Sequence, residues 1–124
     1  QALIDRAKGH GALAKKFYVI FTKPTGAMDA VVAQMPDHLA YQVEIEQAGI
    51  MFAAGPFADD AEEEWSGEGM VIIRAGSLAQ AKEIAAADPM HKSGAREYRV
   101  RPWLINEGSL TIKVTYSDGA REII

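Results

Sequence analysis

The order of hydrophobic patterns predicts an α+β fold: a ferredoxin-like βαββαβ chain forming one antiparallel sheet with two helices on one face. Three observations carry this prediction. Four stretches rich in β-branched and aromatic residues read as strands. Two stretches with apolar residues at helical spacing follow the first and the third of them. Glycine, proline and acidic residues punctuate the joins.

In chain order, Gln1–Lys16 is rich in alanine and lysine, with Gly9 and Gly11, and reads as a frayed helix or arm outside the core. FYVIFT, Phe17–Thr22, is a continuous β-forming run, broken by KPTG. Ala27–Gln34 is a weak helical piece. Pro36 suits the first position of a new helix, where its missing N–H costs nothing. That helix is expected to run to Ala48 and to stop at Gly49 as the C′ residue. IMFAAGPF, Ile50–Phe57, is the second strand, and its Gly55-Pro56 pair fits an edge or a bulge. ADDAEEEWSGEG is an acidic loop carrying Trp65, and MVIIRA, Met70–Ala75, is the third strand. Ser77 is a candidate N-cap for a helix over Leu78–Ala87, ended by DPMHKSG. AREYRVRPWLI, Ala95–Ile105, is the fourth strand, and SLTIKVTYSDGAREII reads as a terminal hairpin turning at Asp118-Gly119. The whole chain, 1–124, is expected to form a single domain: an arm over 1–16, a core over 17–108 and a hairpin extension over 109–124.

Composition narrows the function classes. With 124 residues, 48% apolar and 24% charged, the chain suits one soluble globular domain with a core that needs no staples. It has no cysteine, which excludes disulfides and thiolate metal sites and fits a cytoplasmic setting. The net charge is −4 and no Lys/Arg stripe forms, so nucleic acid is not an expected partner. The apolar runs are too short to span a bilayer, and no membrane association is expected.

The strands carry a further signal. An antiparallel sheet wetted on one side alternates apolar and polar residues, yet FYVIF and MVII do not. Two helices shield one face only. In the Pro36 helix, Leu39 and Val43 lie on one side while His38, Tyr41 and Ile45 lie on another. A symmetric homodimer packing a second copy on the open sheet face accounts for both patterns.

The stretches MPDHLAYQVEIEQAGIMFAAGPF, GMVIIRAGSLAQAKEIAAADPM and YRVRPW together resemble the YCII-related (YciI-like) family. The pieces are Pro36-x-His38-Leu39, Gly49 before an apolar strand, Ala54-Gly55-Pro56, Ser77-Leu78 leading into Ala81, Asp88-Pro89, and Arg101-Pro102-Trp103. Their order, over about Phe17 to Gly108, carries the resemblance more than any one of them. It implies a dimeric α+β barrel, two ferredoxin-like subunits packed sheet to sheet. It also implies a histidine and an aspartate facing one pocket as a catalytic dyad, roles that fall on His38 and Asp88. One resembling enzyme is a dehydrochlorinase of a chlorinated hydroxyhydroquinone. The arm and the C-terminal hairpin exceed the usual family core, and Met90 stands where a larger aromatic residue is common.

Such a dyad needs neither metal nor organic cofactor: neutral imidazole takes a proton near neutral pH, and a carboxylate on its other nitrogen fixes the tautomer. The expected function is a cofactor-independent enzyme acting on a small cyclic or aromatic metabolite, of lyase, dehydrochlorinase or isomerase type. The alternative is a non-catalytic small-molecule binding or accessory protein using the same pocket. Substrate contacts are expected from Tyr41, Gly55, Ser66, Met90 and His91, with the Gly55 backbone as an oxyanion donor. His38, Asp88 and His91 could instead hold a metal, but the motif is loose and no metal is assigned. His38 and Asp88 also have ordinary readings, as a packed histidine and as a helix stop. Trp65 in its acidic loop marks a contact, a lid, or an indole folded back on its own subunit. Arg96, Arg99 and Arg101 are explained equally by salt bridges to the acidic loop and by an anion site.

Overall fold

The computed structural model describes residues 1–123, in two compact units: residues 16–103, and residues 1–15 with 104–123. The larger unit holds a four-stranded antiparallel sheet of β1 (Lys15–Pro24), β2 (Met51–Ala58), β3 (Trp65–Ile73) and β4 (Arg96–Ile105), in the order β2-β3-β1-β4. This is the ferredoxin-like order predicted from the pattern of elements. Its helices are α2 (Met28–Gln47), α3 (Leu78–Ala87) and the single turn α4 (Pro89–Lys92).

The register explains why the strands are apolar on both faces. Tyr18 lies opposite Ile73 and Ile20 opposite Val71, and these four meet Ile45 of α2 and Ala81 and Ala85 of α3 in the main core. Their neighbours point the other way: Val19 lies opposite Ile72, and Phe21 opposite Met70. On that outer face Phe21, Phe57 and Trp103 stay substantially exposed. Along β4, Val100 packs on the main core, which puts Arg96 on the helix side and Arg99 and Arg101 on the outer side.

Local signals hold where short-range physics decides. The Ser77 side chain accepts from the Gln80 N–H and starts α3 where predicted. Gly49, at φ +76°, takes the left-handed conformation after the Ala48 C-cap of α2. The strand β2 lies at an edge, as its Gly55-Pro56 pair predicts, and its register shifts between Met51 and Ala53 and between Pro56 and Ala58.

Two expectations are corrected. First, residues Ala27–Gln34 and the Pro36 helix are one helix, with Pro36 inside it. Proline removes one intrahelical bond, but Val31 before it is fully buried beside Met90, Ala95 and Met35, while Ile45 after it belongs to the main core. Anchors on both sides hold the helix through the proline. Second, β1 extends through Pro24, and β3 begins at Trp65 rather than Met70. The acidic stretch is a tight turn closed by the Asp59 N–H to the Glu64 carbonyl, 2.8 Å, and Ala58 then pairs with Trp65.

The smaller unit contains α1 (Ala2–Gly9) and an antiparallel hairpin of β5 (Ile112–Val114) and β6 (Arg121–Ile123), turning through Asp118 and Gly119 at φ +70°. The last residue of the predicted hairpin, Ile124, lies outside the described residues. No helix of the described residues is long and apolar enough to cross a membrane.

Because Pro36 is exposed, Pro36→Ala restores a helix hydrogen bond without disturbing the core. It is expected to raise stability by about 1–3 kcal/mol, reduced by the extra freedom of the unfolded chain, and urea unfolding measures the change.

Candidate functional site

Asp88 stands where α3 gives way to α4. Its extended backbone, φ −62° and ψ 126°, stops one helix, and its side chain caps the next by accepting from the Met90 N–H at 2.9 Å. One α2 side chain completes this junction: His38 Nδ1 lies 2.8 Å from both Asp88 oxygens. A carboxylate accepts, so Nδ1 carries a proton, and in the neutral ring Nε2 keeps its lone pair. Nε2 makes no hydrogen bond to the described residues. The pair is largely buried, Asp88 at 7% exposure.

Both side chains line a cavity of about 400 Å³ between α2, α4 and the sheet, within the range of small-molecule sites. Gly55 of the edge strand and Gly69 of β3 form part of its wall. A Cβ on Gly69 would stand 3.3 Å from the Gly55 carbonyl, whereas beside Gly55 the space is open. Met90 is almost fully buried, packed with Val31 and Ala95, and reaches the cavity only as its floor.

His91 also lines the cavity, but both its ring nitrogens are engaged. Nδ1 donates to the Ala85 carbonyl at 2.7 Å, and Nε2 accepts from the Thr22 hydroxyl at 2.9 Å. The ring stacks on Tyr98, centroids 4.3 Å apart. Burial, ahead of every charge effect, holds its pKa below the ordinary 6.5. The Thr22 hydroxyl, having donated to His91, accepts from Arg96 Nε at 2.9 Å. No group of three or more His, Cys, Asp or Glu side chains among the described residues is arranged to hold a metal ion.

The structure thus brings His38, Asp88, Gly55, Met90 and His91 to one cavity, and places Tyr41 and Ser66 elsewhere. The Tyr41 hydroxyl donates to the Ile84 carbonyl at 2.7 Å, clipping α2 to α3, and burial followed by the Asp88 and Glu44 charges raises its pKa. The Ser66 hydroxyl donates to the Phe57 carbonyl across the β2–β3 ladder. Thr22 was not singled out by the sequence, and Arg96 was grouped there with two outward-facing arginines. Strand parity would have separated them: Thr22 continues the inward series Tyr18, Ile20, and Arg96 the series that includes Val100. Trp65 is half exposed, donates its indole N–H to the Glu68 carbonyl, and lies over Arg96 at 5.9 Å.

Fold and site together define an α+β protein of ferredoxin-like plan, with an imidazole–carboxylate pair in a cavity between sheet and helices. The profile of the YCII-related domain matches residues 16–104, and the chain belongs to that family. Among solved structures the chain is similar to 5-chloro-2-hydroxyhydroquinone dehydrochlorinase from Burkholderia phenoliruptrix AC1100, in complex with 2,5-dihydroxybenzoquinone. The TM-score is 0.59 at 19% identity, covering 70% of this chain and 92% of that one, a likeness of fold. No curated protein matches the chain significantly.

The lowered pKa of His91 has a definite sign. The unfolded chain takes up this proton more readily than the folded one, so the contribution is complete above the ordinary 6.5 and is lost as pH falls through the folded value. Stability of the wild type is expected to fall more steeply than that of His91→Asn as pH is lowered from neutrality, measured by urea midpoints. Ring nitrogen NMR shifts are expected to report the neutral Nδ1–H form of His91 at neutral pH.

Proposed function

We propose that the protein is a cofactor-independent enzyme acting on a small cyclic or aromatic compound, with His38 as general base and Asp88 as its orienting partner. The observation that carries the reading is the His38–Asp88 contact: the carboxylate occupies Nδ1 and leaves Nε2 as the basic atom in a cavity of suitable size. Nε2 takes a proton from a hydroxyl or an activated C–H of the ring. The electron pair left behind moves into the ring π-system. A leaving group then departs with its bonding pair, which is elimination, or a proton returns at another carbon, which is isomerisation. Asp88 stabilises the imidazolium formed in the first step. The scheme uses only side chains of this chain.

The fold neighbour supports the substrate class, because that protein is a dehydrochlorinase of a hydroxylated ring and holds a quinone. We also propose a homodimer in which the outer sheet face, with Phe21, Met70 and Trp103, meets its copy. Support comes from the large apolar side chains that stay exposed on that face, Phe21, Phe57 and Trp103. A cytoplasmic setting fits the absence of cysteine.

Incubation with chlorinated and unchlorinated hydroxyhydroquinones, followed by halide release and ring absorbance, tests the reaction. His38→Ala is expected to lower turnover by about 10²–10⁴-fold while leaving secondary structure intact. Normal turnover by that variant would end the assignment. A ring compound that co-purifies and stays chemically unchanged over many hours would instead mark a binding module. For the assembly, light scattering is expected to give a dimer for the wild type and a monomer for Phe21→Asp.

A further inference from the structure

Arg96 is the one lysine or arginine among the described residues that lines the cavity, and it is 6% exposed. A guanidinium carries five N–H donors, and three are accounted for. Nε donates to the Thr22 hydroxyl at 2.9 Å, and Nη2 donates to the Thr22 carbonyl at 3.0 Å and the Gly67 carbonyl at 2.8 Å. The two N–H groups of Nη1 have no protein acceptor among the described residues.

The charge is as incomplete as the hydrogen bonding. All of its acceptors are neutral oxygens. The ion pairs among the described residues are Lys23–Glu97 and His38–Asp88, so no carboxylate lies within 4.0 Å of Arg96. Asp88 exerts an attractive field on it, but its oxygens are directed at His38 and the Met90 N–H. Burial disfavours a charge on His91. No side-chain nitrogen sealed from solvent lacks a partner among the described residues, so Nη1 is still reached by water and is open to an incoming ligand oxygen as well. The Trp65 ring over the guanidinium adds a cation–π contact and helps fix its position. The remaining wall is apolar at Met35, Leu39, Pro56 and Val71, and Gln42 adds a neutral amide.

We infer that Arg96 Nη1 is the oxyanion-binding group of this cavity, and that the ligand is a small planar ring bearing an anionic oxygen, either a carboxylate or a ring oxyanion. This deepens the proposed function by giving the substrate a charge and an anchor. It rests on reading the cavity as the ligand site and is independent of whether His38 performs catalysis. Three of the arginine's donors fix the guanidinium before any ligand arrives, so its direction is preset and little rotamer entropy remains to be lost on binding.

Benzoate, 4-nitrophenolate above the pKa of its phenol, and neutral benzamide separate the possibilities in calorimetric titrations. The wild type is expected to bind at least one of the two anions at least about tenfold more tightly than benzamide. The tighter of the two anions assigns the ligand oxygen to a carboxylate or to a ring. Arg96→Gln is expected to abolish the preference for the anion. Because that variant also loses bonds to Thr22 and Gly67, the unmodified protein provides a second readout. In arginine-labelled wild type, the Arg96 Nη signals are expected to shift with benzoate or nitrophenolate and to stay fixed with benzamide. Equal affinity for anions and benzamide, no anion binding up to about 10 mM, or anion binding that leaves the Arg96 signals unmoved would each overturn the inference. Lost turnover in His38→Ala, together with a wild type that shows no anion preference, would sink this inference and leave the general-base reading standing.

Discussion

The Asp88 carboxylate ties together the parts on which the cavity depends. Its backbone ends α3, one oxygen caps α4, and both oxygens hold Nδ1 of His38 on α2. Three helices therefore meet at one residue, α3 through its backbone and α2 and α4 through its side chain. A buried acceptor of this kind is expensive to leave unpaired, so each partner constrains the others. The histidine receives its tautomer from the same contact that fixes its place. Structural and chemical readings of Asp88 are then one arrangement: a helix stop becomes an orienting group when the adjacent helix supplies an imidazole.

The sheet supplies the other half of the site and explains its polarity. Alternation sends Tyr18, Ile20 and Thr22 toward the helices and Val19 and Phe21 away from them. The inward series is apolar where it meets α2 and α3 and turns polar at its end, where Thr22 links His91 to Arg96. Thr22 donates one hydrogen bond and accepts another, and this leaves His91 an acceptor and Arg96 a donor. A hydroxyl at this position thus separates a neutral ring from a permanent cation at short range. The outward series remains greasy, and that is the surface the proposed dimer would cover.

Much of the fold was legible because local physics decided it. Ser77 with its following helix, Gly49 after α2 and the Gly55-Pro56 edge strand each carry a short-range signal that no distant contact overrides. The join at Pro36 was not legible. The buried contacts of Val31 with Met90 and Ala95 outweigh a proline's helix penalty, and they join residues about 60 positions apart, in keeping with tertiary override of propensity. The early start of β3 was hidden for a similar reason, since Trp65 becomes a strand residue only through its pairing with Ala58. At the site, His38 and Asp88 came from the family resemblance, because spacing alone gave ordinary readings for both. Arg96 looked like its neighbours Arg99 and Arg101 until strand parity separated inward from outward. Tyr41 and Ser66 looked available because a sequence does not show that a hydroxyl already has a carbonyl partner.

The turn over 59–64 joins the edge strand to the strand that begins with Trp65, and Pro56 and Trp65 both border the cavity. On its outer side β2 has no neighbouring strand among the described residues. Lengthening such a turn costs little, because closure entropy rises only logarithmically with loop size. The rim can therefore diversify by insertion or deletion while the helix junction beneath it stays unchanged. Under the proposed function, range of accepted molecules and proton chemistry would be encoded in separate stretches of chain, free to drift at different rates.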